Sequence, residues 1–286
     1  MTSQKNNKIY DRVPNFNRTS VKSIQNDLLE NSIVGQYATR SSDVRRNYLE
    51  FIQTLDIFRN TSTQFRAELF QAATLKRYPK GGDIFTEGMK AYNLYIVLDG
   101  CVKLSKSNAN GDETILQLLT KGNIFLASAV FMNATYPVTA KVTKNVLVLA
   151  IPASIIRNGV KTNGNFALNL LNAIAKNSHS LILHTENIKN KSCEERFGWF
   201  LLKSFIEQPS TSNFIELPYT RSSLALYLGM QPETLSRVLK RFRANGFRIA
   251  SQGITIPTFN SICKFCNSDT ASLCSLSGTS NCPKFG

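Results

Sequence analysis

The stretch from Thr220 to Asn245 constrains the fold most, because it contains two amphipathic helical patterns separated by a glycine. The first pattern has an apolar face formed by Leu224, Ala225 and Leu228. Gly229 follows it and can adopt the left-handed conformation of a tight turn between two steeply crossing helices. Pro232 suits the first turn of a helix, so we expect the second helix to begin near Gln231.

The second helix has one aliphatic face and one polar, basic face. Its apolar residues recur at helical spacing: Leu235, Val238, Leu239 and Phe242. Its outward residues are Glu233, Ser236, Arg237, Lys240 and Arg241. Such a helix can place its leading residues against base edges in the major groove while its later cations neutralise phosphates. A solvated basic helix has the same pattern, but the helix-glycine-helix frame and the acid-free basic run from Arg237 to Arg248 favour nucleic-acid binding.

The segments LALYLGM and QPETLSRVLKRF resemble the winged helix-turn-helix of the Crp/Fnr superfamily of bacterial transcription regulators. The order of Glu233, Thr234, Ser236 and Arg237 is similar to the fumarate-nitrate reductase regulator branch. The resemblance implies that Arg237 contacts guanine O6 and N7, Glu233 accepts from a cytosine or adenine amino group, and Ser236 contacts thymine. The implied DNA contacts are Arg221, Gln231, Glu233, Thr234, Ser236, Arg237, Lys240 and Arg241. Palindromic duplexes with TTGAT-like half-sites, and RNA polymerase, are the implied partners.

Charge and length agree with a binding protein of more than one domain. The 286 residues include 34 Lys and Arg against 19 Asp and Glu, and this net charge of +15 favours polyanionic partners. No apolar run could cross a bilayer, and no secretory signal opens the chain, so we expect a cytoplasmic location. The two histidines have no accompanying nucleophile and no phosphate-binding glycine loop occurs, so we do not expect an enzyme.

Residues 75–152 alternate apolar and polar positions in short runs between glycine-containing breaks, which predicts a double-sheet jelly roll. The runs GGDIFTEG (81–88) and LYIVLDG (94–100) resemble the cyclic-nucleotide-binding domain of the same superfamily. The family's charged ligand contacts are missing from the matching segments 125–128 and 137–140. A buried phosphate without a cation is costly, so we expect that cyclic AMP is not the effector. The barrel then serves as a scaffold or admits an apolar ligand.

A long helical pattern follows the barrel and has one seam with steps of four and three residues, which is typical of a two-stranded coiled coil. The predicted dimer seam is Leu170, Ile174, Asn177, Leu181, His184 and Ile188. Asn177 would set the register, and His184 is interpreted as a seam residue rather than a haem ligand. A homodimer would present two recognition helices to a palindromic DNA site.

The C-terminal tail contains four of the six cysteines, spaced as Cys263-x2-Cys266-x7-Cys274-x7-Cys282. In a reducing compartment such clustering favours a metal site over disulfides. Four thiolates suit tetrahedral zinc or a [4Fe-4S] cluster, and the spacing does not choose between them. The resemblance favours the iron-sulfur cluster, since some regulators of this branch carry cluster cysteines at the C-terminus. It implies that oxygen or redox state switches DNA binding through that cluster.

The expected organisation is α+β, with an N-terminal jelly roll, a long dimerisation helix and a C-terminal winged helix-turn-helix. The expected segments are a disordered arm with one short helix near 21–29 (1–45), a sensor domain opening with a helical stretch over 44–73 (46–164), the dimerisation helix (165–191), the DNA-binding domain (192–260) and the cysteine-rich tail (261–286). Two other functions stay open: a regulator with structural zinc and a small-molecule effector in the barrel, and a cyclic-nucleotide-binding module that does not bind DNA.

Overall fold

The structure is a computed structural model that describes residue 48 and residues 50–125, 127–207, 213–272, 274–280 and 282. It consists of an antiparallel β domain, a long helix, and a helical domain with a small sheet, so the predicted α+β class is confirmed. The predicted N-terminal arm, with its short helix, lies outside the described residues. In the part of the chain that the structure describes, none of the helices has both the length and the hydrophobicity needed to cross a membrane.

The β domain is built on two long antiparallel strands, β3 and β6, which pair along most of their length. Its strands are β1 (Thr74–Tyr78), β2 (Asp83–Phe85), β3 (Asn93–Ser107), β4 (Glu113–Leu119), β5 (Ile124–Phe125) and β6 (Thr139–Pro152). The order is β1-β6-β3-β4, with β2 also paired to β6 and β5 to β3. Register shifts bend β3 near Gly100, whose positive φ of 84° and close approach to the Asn145 carbonyl oxygen leave no space for a side chain.

Short helices pack against the strands of the β domain: α1 (Thr63–Ala72), α2 (Ala127–Phe131) and α3 (Ala153–Thr162). The helical stretch predicted over 44–73 is interrupted: its described part is divided into a helix that includes residues 48 and 50–54, a 3-10 turn at Asp56–Phe58, and α1. Asn60 adopts a positive φ of 57° between them, and the Ser62 hydroxyl accepts from the Phe65 amide to start α1. Apolar spacing alone did not reveal these local caps and turns.

The long helix, α4 (Gly164–Asn190), begins where the Asn163 side chain accepts from the Phe166 amide, and it confirms the helix predicted here. A second helix, α5 (Cys193–Glu207), follows after a two-residue break and is called the linking helix. Glu195 accepts from the Ser192 amide and hydroxyl, while the Ser192 hydroxyl accepts from the Glu195 amide, so a capping box starts the linking helix.

The C-terminal domain contains β7 (Phe214–Glu216), α6 (Arg221–Tyr227), α7 (Pro232–Ala244), β8 (Arg248–Ile249) and β9 (Gly253–Thr255). Its sheet has the order β7-β9-β8, so the predicted wing is present and gains a strand, β7, that the sequence did not predict. The tail adds two short helices, α8 (Asn260–Cys263) and α9 (Ser268–Ala271). The tail also contributes to the core of this domain, since Ile262, two residues past its predicted end, is fully buried there.

Candidate nucleic-acid interface and cysteine cleft

Helices α6 and α7 form the predicted helix-turn-helix, and a side chain caps the start of α6. The Thr220 hydroxyl accepts from the Ser223 amide at the start of α6. Gly229 has the positive φ of 62° expected at the turn. The Arg196 guanidinium of the linking helix donates to the carbonyls of Leu228 (3.1 Å) and Gly229 (3.0 Å), so it satisfies backbone acceptors at the turn.

Helix α7, called the recognition helix, begins as predicted, with Gln231 as its N-cap and Pro232 in its first turn. Its aliphatic face is buried: Leu235, Val238, Leu239 and Phe242. The opposite face is exposed and carries most of the predicted contact residues: Gln231, Glu233, Ser236, Arg237, Lys240 and Arg241. Arg221 is also exposed at the start of α6, while Thr234 is half-buried. The predicted DNA-contact residues, apart from half-buried Thr234, are therefore exposed, and the opposite face of the recognition helix packs in the core of the domain.

Hydrogen bonds and one ion pair orient this exposed face. The Arg237 guanidinium donates to the Thr234 hydroxyl over 3.2 Å, and the Ser236 hydroxyl donates to the Pro232 carbonyl over 3.0 Å. Arg241 forms an ion pair with Glu194 at the start of the linking helix. Sequence reasoning missed Glu194 in this role, because its partner lies 47 positions away. Arg237 and Lys240 are thus exposed cations on this face, and Arg241 is exposed and paired with Glu194.

Most of the predicted dimer seam contacts the rest of its own chain. Leu170 is 1% exposed, and Ile174 also packs against the core of the β domain. The Gln117 side-chain amide donates to the Asn177 oxygen over 2.5 Å, which joins β4 to the long helix. His184 and Ile188 lie next to the helix-turn-helix, and Leu181 lines a cavity of the β domain. The structure therefore turns this face of the long helix toward its own two domains.

A different face of the long helix is apolar and exposed. Leu168 is 56% exposed, Leu171 is 62% exposed and Ile182 is 65% exposed. Ala175 and Ser178 are exposed between them, which completes steps of three, four, three and four residues. We call these five residues the apolar stripe; it lies roughly a quarter turn or more around the helix from the predicted seam.

His184 joins the long helix to the first helix of the helix-turn-helix. Its ring stacks on Tyr227 with centroids 4.2 Å apart and planes 7° from parallel. Its Nε2 atom is buried without a hydrogen-bond partner. Burial first, and then the nearby Lys203 ammonium, lowers the pKa of His184 to about 4, although a hydrogen bond with the Tyr227 backbone opposes this. His184 is therefore a neutral packing residue near pH 7.

The β domain contains a cavity of about 270 Å³ between its strands and the long helix. The described residues that line it carry no ionisable side chain: Leu104, Leu116, Gln117, Ile124, Ala127, Ser128, Pro137, Val138, Ala173, Ile174, Asn177, Ser178 and Leu181. Ala127, Ser128, Pro137 and Val138 come from the two segments in which the sequence lacks the family's charged ligand contacts. The cavity therefore offers no described cation to a cyclic phosphate.

The four tail cysteines line one small cleft, which we call the cysteine cleft. Its lining residues are Leu202, Phe259, Cys263, Cys266, Ala271, Cys274, Ser277 and Cys282. Its other lining residues are mostly apolar, and one of them, Leu202, belongs to the linking helix. None of the six cysteines, all of which are described, forms a disulfide bond. Burial raises the pKa of Cys101, which is fully buried in the β domain, to about 12, so that thiol stays protonated.

The cleft fits a four-thiolate centre in its donor set. Four thiols from two tail segments open onto one apolar space, and such donors suit zinc or an iron-sulfur cluster. Within the described residues, no group of three or more metal-binding side chains is close enough to hold an ion. Cys263 and Cys266 would hold the centre from α8 and the turn after it, while Cys274 and Cys282 would close it from the following segment.

The sequence matches two domain families. Residues 75–163 match the cyclic nucleotide-binding domain, and residues 195–264 match the Crp-like helix-turn-helix domain. The fumarate and nitrate reduction regulatory protein of Salmonella typhimurium is 27% identical over 192 residues, which cover 65% of this chain and 75% of that protein. The protein of the same name from Escherichia coli K12 is 26% identical over 177 residues, which cover 60% and 69% of the two chains.

Solved structures share the fold. FixK2 from Bradyrhizobium japonicum has a TM-score of 0.63 at 22% identity, covering 68% of this chain and 98% of that chain. A CooA mutant from Carboxydothermus hydrogenoformans has a TM-score of 0.57 at 19% identity, covering 72% and 91%. Both domain families occur here in one chain, and one long helix lies between them. The chain therefore belongs to the Crp/Fnr family of DNA-binding transcription regulators, which are not enzymes.

Proposed function

We propose that this regulator binds palindromic double-stranded DNA as a homodimer, in the cytoplasm, and acts there with RNA polymerase as an activator. The observation that carries this proposal is the exposed polar and basic face of the recognition helix above its buried aliphatic face. Arg237, Glu233 and Ser236 read base edges, and Lys240 and Arg241 contact phosphates. The order of these residues supports TTGAT-like half-sites.

The proposed dimer contact is the apolar stripe rather than the seam predicted from the sequence. Leu168, Leu171 and Ile182 expose large apolar side chains at coiled-coil spacing, with the small residues Ala175 and Ser178 between them. Burying these side chains against a second copy would remove apolar surface from water. The β domain and the helix-turn-helix contact the face of the long helix that carries the predicted seam, so the stripe is an apolar face that one copy of the chain leaves exposed.

The proposed regulatory group is a [4Fe-4S] cluster held by Cys263, Cys266, Cys274 and Cys282. When bound, such a cluster supplies sensitivity to oxygen and redox state. Bound to all four cysteines, the cluster would join the two tail segments that line the cysteine cleft. Structural zinc in the same four cysteines is the alternative, since four thiolates suit either group.

A second candidate regulatory site is the uncharged cavity of the β domain. Its volume of about 270 Å³ is adequate for a small molecule, and its described polar groups are the Gln117 and Asn177 amides and the hydroxyls of Ser128 and Ser178. These groups suit a neutral or apolar effector and do not suit a cyclic phosphate. Titration calorimetry with cyclic AMP should therefore show no tight binding.

Fluorescence anisotropy with a palindromic duplex and a scrambled duplex of equal length tests DNA reading directly. We expect the palindrome to bind more tightly at moderate salt, and both affinities to fall as salt rises, because cations on the recognition helix displace counterions. Equal affinity for both duplexes would contradict sequence-specific reading, and no binding to either would contradict DNA binding by this helix.

Sedimentation of wild type and Leu171→Asp tests the dimer. The substitution places a charge in the stripe, on an exposed side chain that the fold of one chain does not need. We expect dissociation to monomers and loss of palindrome preference. A fully dimeric Leu171→Asp protein would place the interface elsewhere.

Anaerobic purification followed by absorption spectroscopy and metal analysis tests the tail. Iron and inorganic sulfide with visible absorption would support the cluster. A colourless protein with one zinc per chain would support the alternative and remove the proposed oxygen sensing.

A further inference from the structure

The tail contacts the recognition helix through the aromatic residue Phe265. Its ring stacks on Phe242 of the recognition helix, with centroids 5.8 Å apart and planes 19° from parallel. Phe242 also contacts Phe197 of the linking helix (4.8 Å) and Phe247 before the wing (4.9 Å). Phe265 therefore packs onto the aromatic cluster that supports the buried face of the DNA-reading helix.

Phe265 lies inside the Cys-x2-Cys loop. The residue order is Cys263, Lys264, Phe265 and Cys266, and both cysteines line the cysteine cleft. Cys263 is buried, and Phe265 and Cys266 are half-buried against the core of the same domain. A centre that held both thiolates would therefore fix the backbone on either side of the ring that touches Phe242.

The linking helix has a glycine, Gly198, where the Phe265 ring packs against it. A Cβ atom at Gly198 would lie 2.4 Å from the Phe265 ring, well inside contact distance. Glycine in the middle of a helix costs about 1 kcal/mol relative to alanine, and the close approach of Phe265 gives a physical reason for it here. Leu202, one turn later on the linking helix, lines the cysteine cleft.

The second tail helix is also attached to the linking helix. The indole N–H of Trp199 donates to the Thr270 hydroxyl over 2.9 Å, and both residues are buried. The Thr270 amide in turn donates to the Asn267 side-chain oxygen over 2.9 Å, which caps α9. Trp199 is the single tryptophan of the chain, so its fluorescence reports whether the tail is docked.

We propose that Phe265 is a positioning residue for DNA reading, which transmits the state of the cysteine cleft to the recognition helix by packing on Phe242. This inference rests on the proposed function, because it takes the four cysteines as ligands of one centre and the recognition helix as the DNA reader. Metal loss releases the Cys-x2-Cys loop, Phe265 leaves Phe242, and the recognition helix loses one wall of its support. DNA affinity then depends on the tail without any change at the apolar stripe.

The test compares full-length wild type, Phe265→Ala, Phe265→Leu and Tyr219→Leu, before and after metal removal by a chelator. Tyr219→Leu is the matched control, since Tyr219 is an aromatic residue that packs on Phe200 of the linking helix (6.1 Å) and is not among the residues that line the cysteine cleft. Three quantities are measured for each protein: metal content, palindrome affinity by anisotropy, and the Trp199 emission maximum. Sedimentation confirms that each protein has the same oligomeric state.

We expect chelation to weaken wild-type DNA binding by about tenfold, in line with the loss of one aromatic contact, and to shift Trp199 emission to longer wavelength. Phe265→Ala should bind DNA as weakly as chelated wild type while it still contains metal, and chelation should weaken it no further. Phe265→Leu should recover part of the metal dependence because it restores apolar volume at the same place. Tyr219→Leu should retain the wild-type metal dependence, because Tyr219 does not line the cysteine cleft.

The outcomes separate the inference from the proposed function. A metal-loaded Phe265→Ala protein with wild-type affinity and wild-type metal dependence would overturn the inference and leave the metal site intact. Where Phe265→Ala does not retain metal, the same comparison is made with Phe265→Leu: wild-type affinity together with full wild-type metal dependence would overturn the inference. A metal dependence lost equally in Tyr219→Leu would overturn it as well. A wild type that contains no metal would overturn the inference and the proposed cysteine centre, while DNA reading by the recognition helix is tested separately by anisotropy.

Discussion

The buried histidine between the long helix and the helix-turn-helix should make the protein sensitive to mild acid. His184 is 8% exposed, and its Nε2 atom has no partner, so a proton added there would be a buried and unpaired charge. The unfolded chain binds a proton on histidine near pH 6.5, whereas the folded chain does so near pH 4. Acid therefore favours the unfolded chain, which accepts the proton at the higher pH.

The magnitude follows from the two pKa values. Each pKa unit corresponds to about 1.4 kcal/mol. Because the pKa of His184 falls from 6.5 in the unfolded chain to about 4 in the folded chain, the folded state loses about 3 kcal/mol of stability at a pH below both pKa values. This stability is fully present above about pH 7 and declines as the pH falls through the interval from 6.5 to 4. Between pH 7 and pH 5 the loss attributable to His184 is about 2 kcal/mol.

The assay is urea unfolding at pH 7 and pH 5, followed by the fluorescence of Trp199. His184→Phe keeps a ring that can stack on Tyr227 but cannot bind a proton, so its free energy of unfolding should fall less between the two pH values. His179→Gln is the matched control, because His179 is the other histidine of the chain and is exposed. Carboxylates titrate in all three proteins, so their contribution cancels when the pH dependence of the free energy of unfolding of each variant is subtracted from that of wild type.

The expected result is a pH dependence about 2 kcal/mol smaller in His184→Phe than in wild type, and unchanged in His179→Gln. An equal pH dependence in wild type and His184→Phe would refute the reasoning, since it would mean that His184 is protonated at no cost in the folded state. An effect seen only in His179→Gln would refute it as well.

Three further predictions concern DNA reading and the tail. Arg237→Ala should cost about 1–3 kcal/mol on the preferred duplex and relax the choice at one base pair, measured by anisotropy on a set of singly altered duplexes; an equal loss on every duplex would make Arg237 a phosphate contact. Glu194→Gln should release Arg241 and raise affinity for a scrambled duplex by less than about tenfold, with a steeper salt dependence, because an exposed ion pair is weak; unchanged affinity and salt slope would contradict competition between Glu194 and phosphate. Gly198→Ala should lower the free energy of unfolding by about 1–3 kcal/mol, measured with urea, because its methyl group would overlap the Phe265 ring; an equally stable protein would show that the ring moves without cost.

Local patterns in the sequence predicted the helix-turn-helix well, because every signal there comes from residues close along the chain. Gly229 and Pro232 marked the turn and the start of the recognition helix, and the aliphatic spacing identified its buried face. The alternation in residues 75–152 likewise predicted antiparallel strands. In each case the local conformational preference and the tertiary contacts favour the same structure.

The orientation of the long helix could not be predicted in the same way, because apolar residues occur on two of its faces. Leu170 and Leu171 are adjacent and equally hydrophobic, yet the first is buried in its own chain and the second is 62% exposed. Periodicity identifies apolar faces but does not say whether the same chain or a second copy covers each one. That choice depends on where the β domain and the helix-turn-helix pack.

The docking of the tail was also beyond sequence reasoning. Ile262 and Phe265 are isolated apolar residues among small polar ones, and they have no helical or strand period. Their partners, Gly198 and Phe242, come from helices that are far apart in the sequence. The one available signal was the glycine within the linking helix, which is unfavourable there unless another group approaches closely.

The long helix makes its contacts with the β domain and with the helix-turn-helix at fixed angular positions, through Asn177 and His184. An α-helix turns about 100° per residue, so one residue inserted between these two positions would rotate one domain by about that angle relative to the other. A seven-residue insertion would restore the phase to within about 20° while it lengthens the rod by about 10 Å. Insertions of whole heptads thus change the distance between the two domains along the helix axis but nearly preserve the angle between them, whereas a one-residue insertion changes that angle by about 100°.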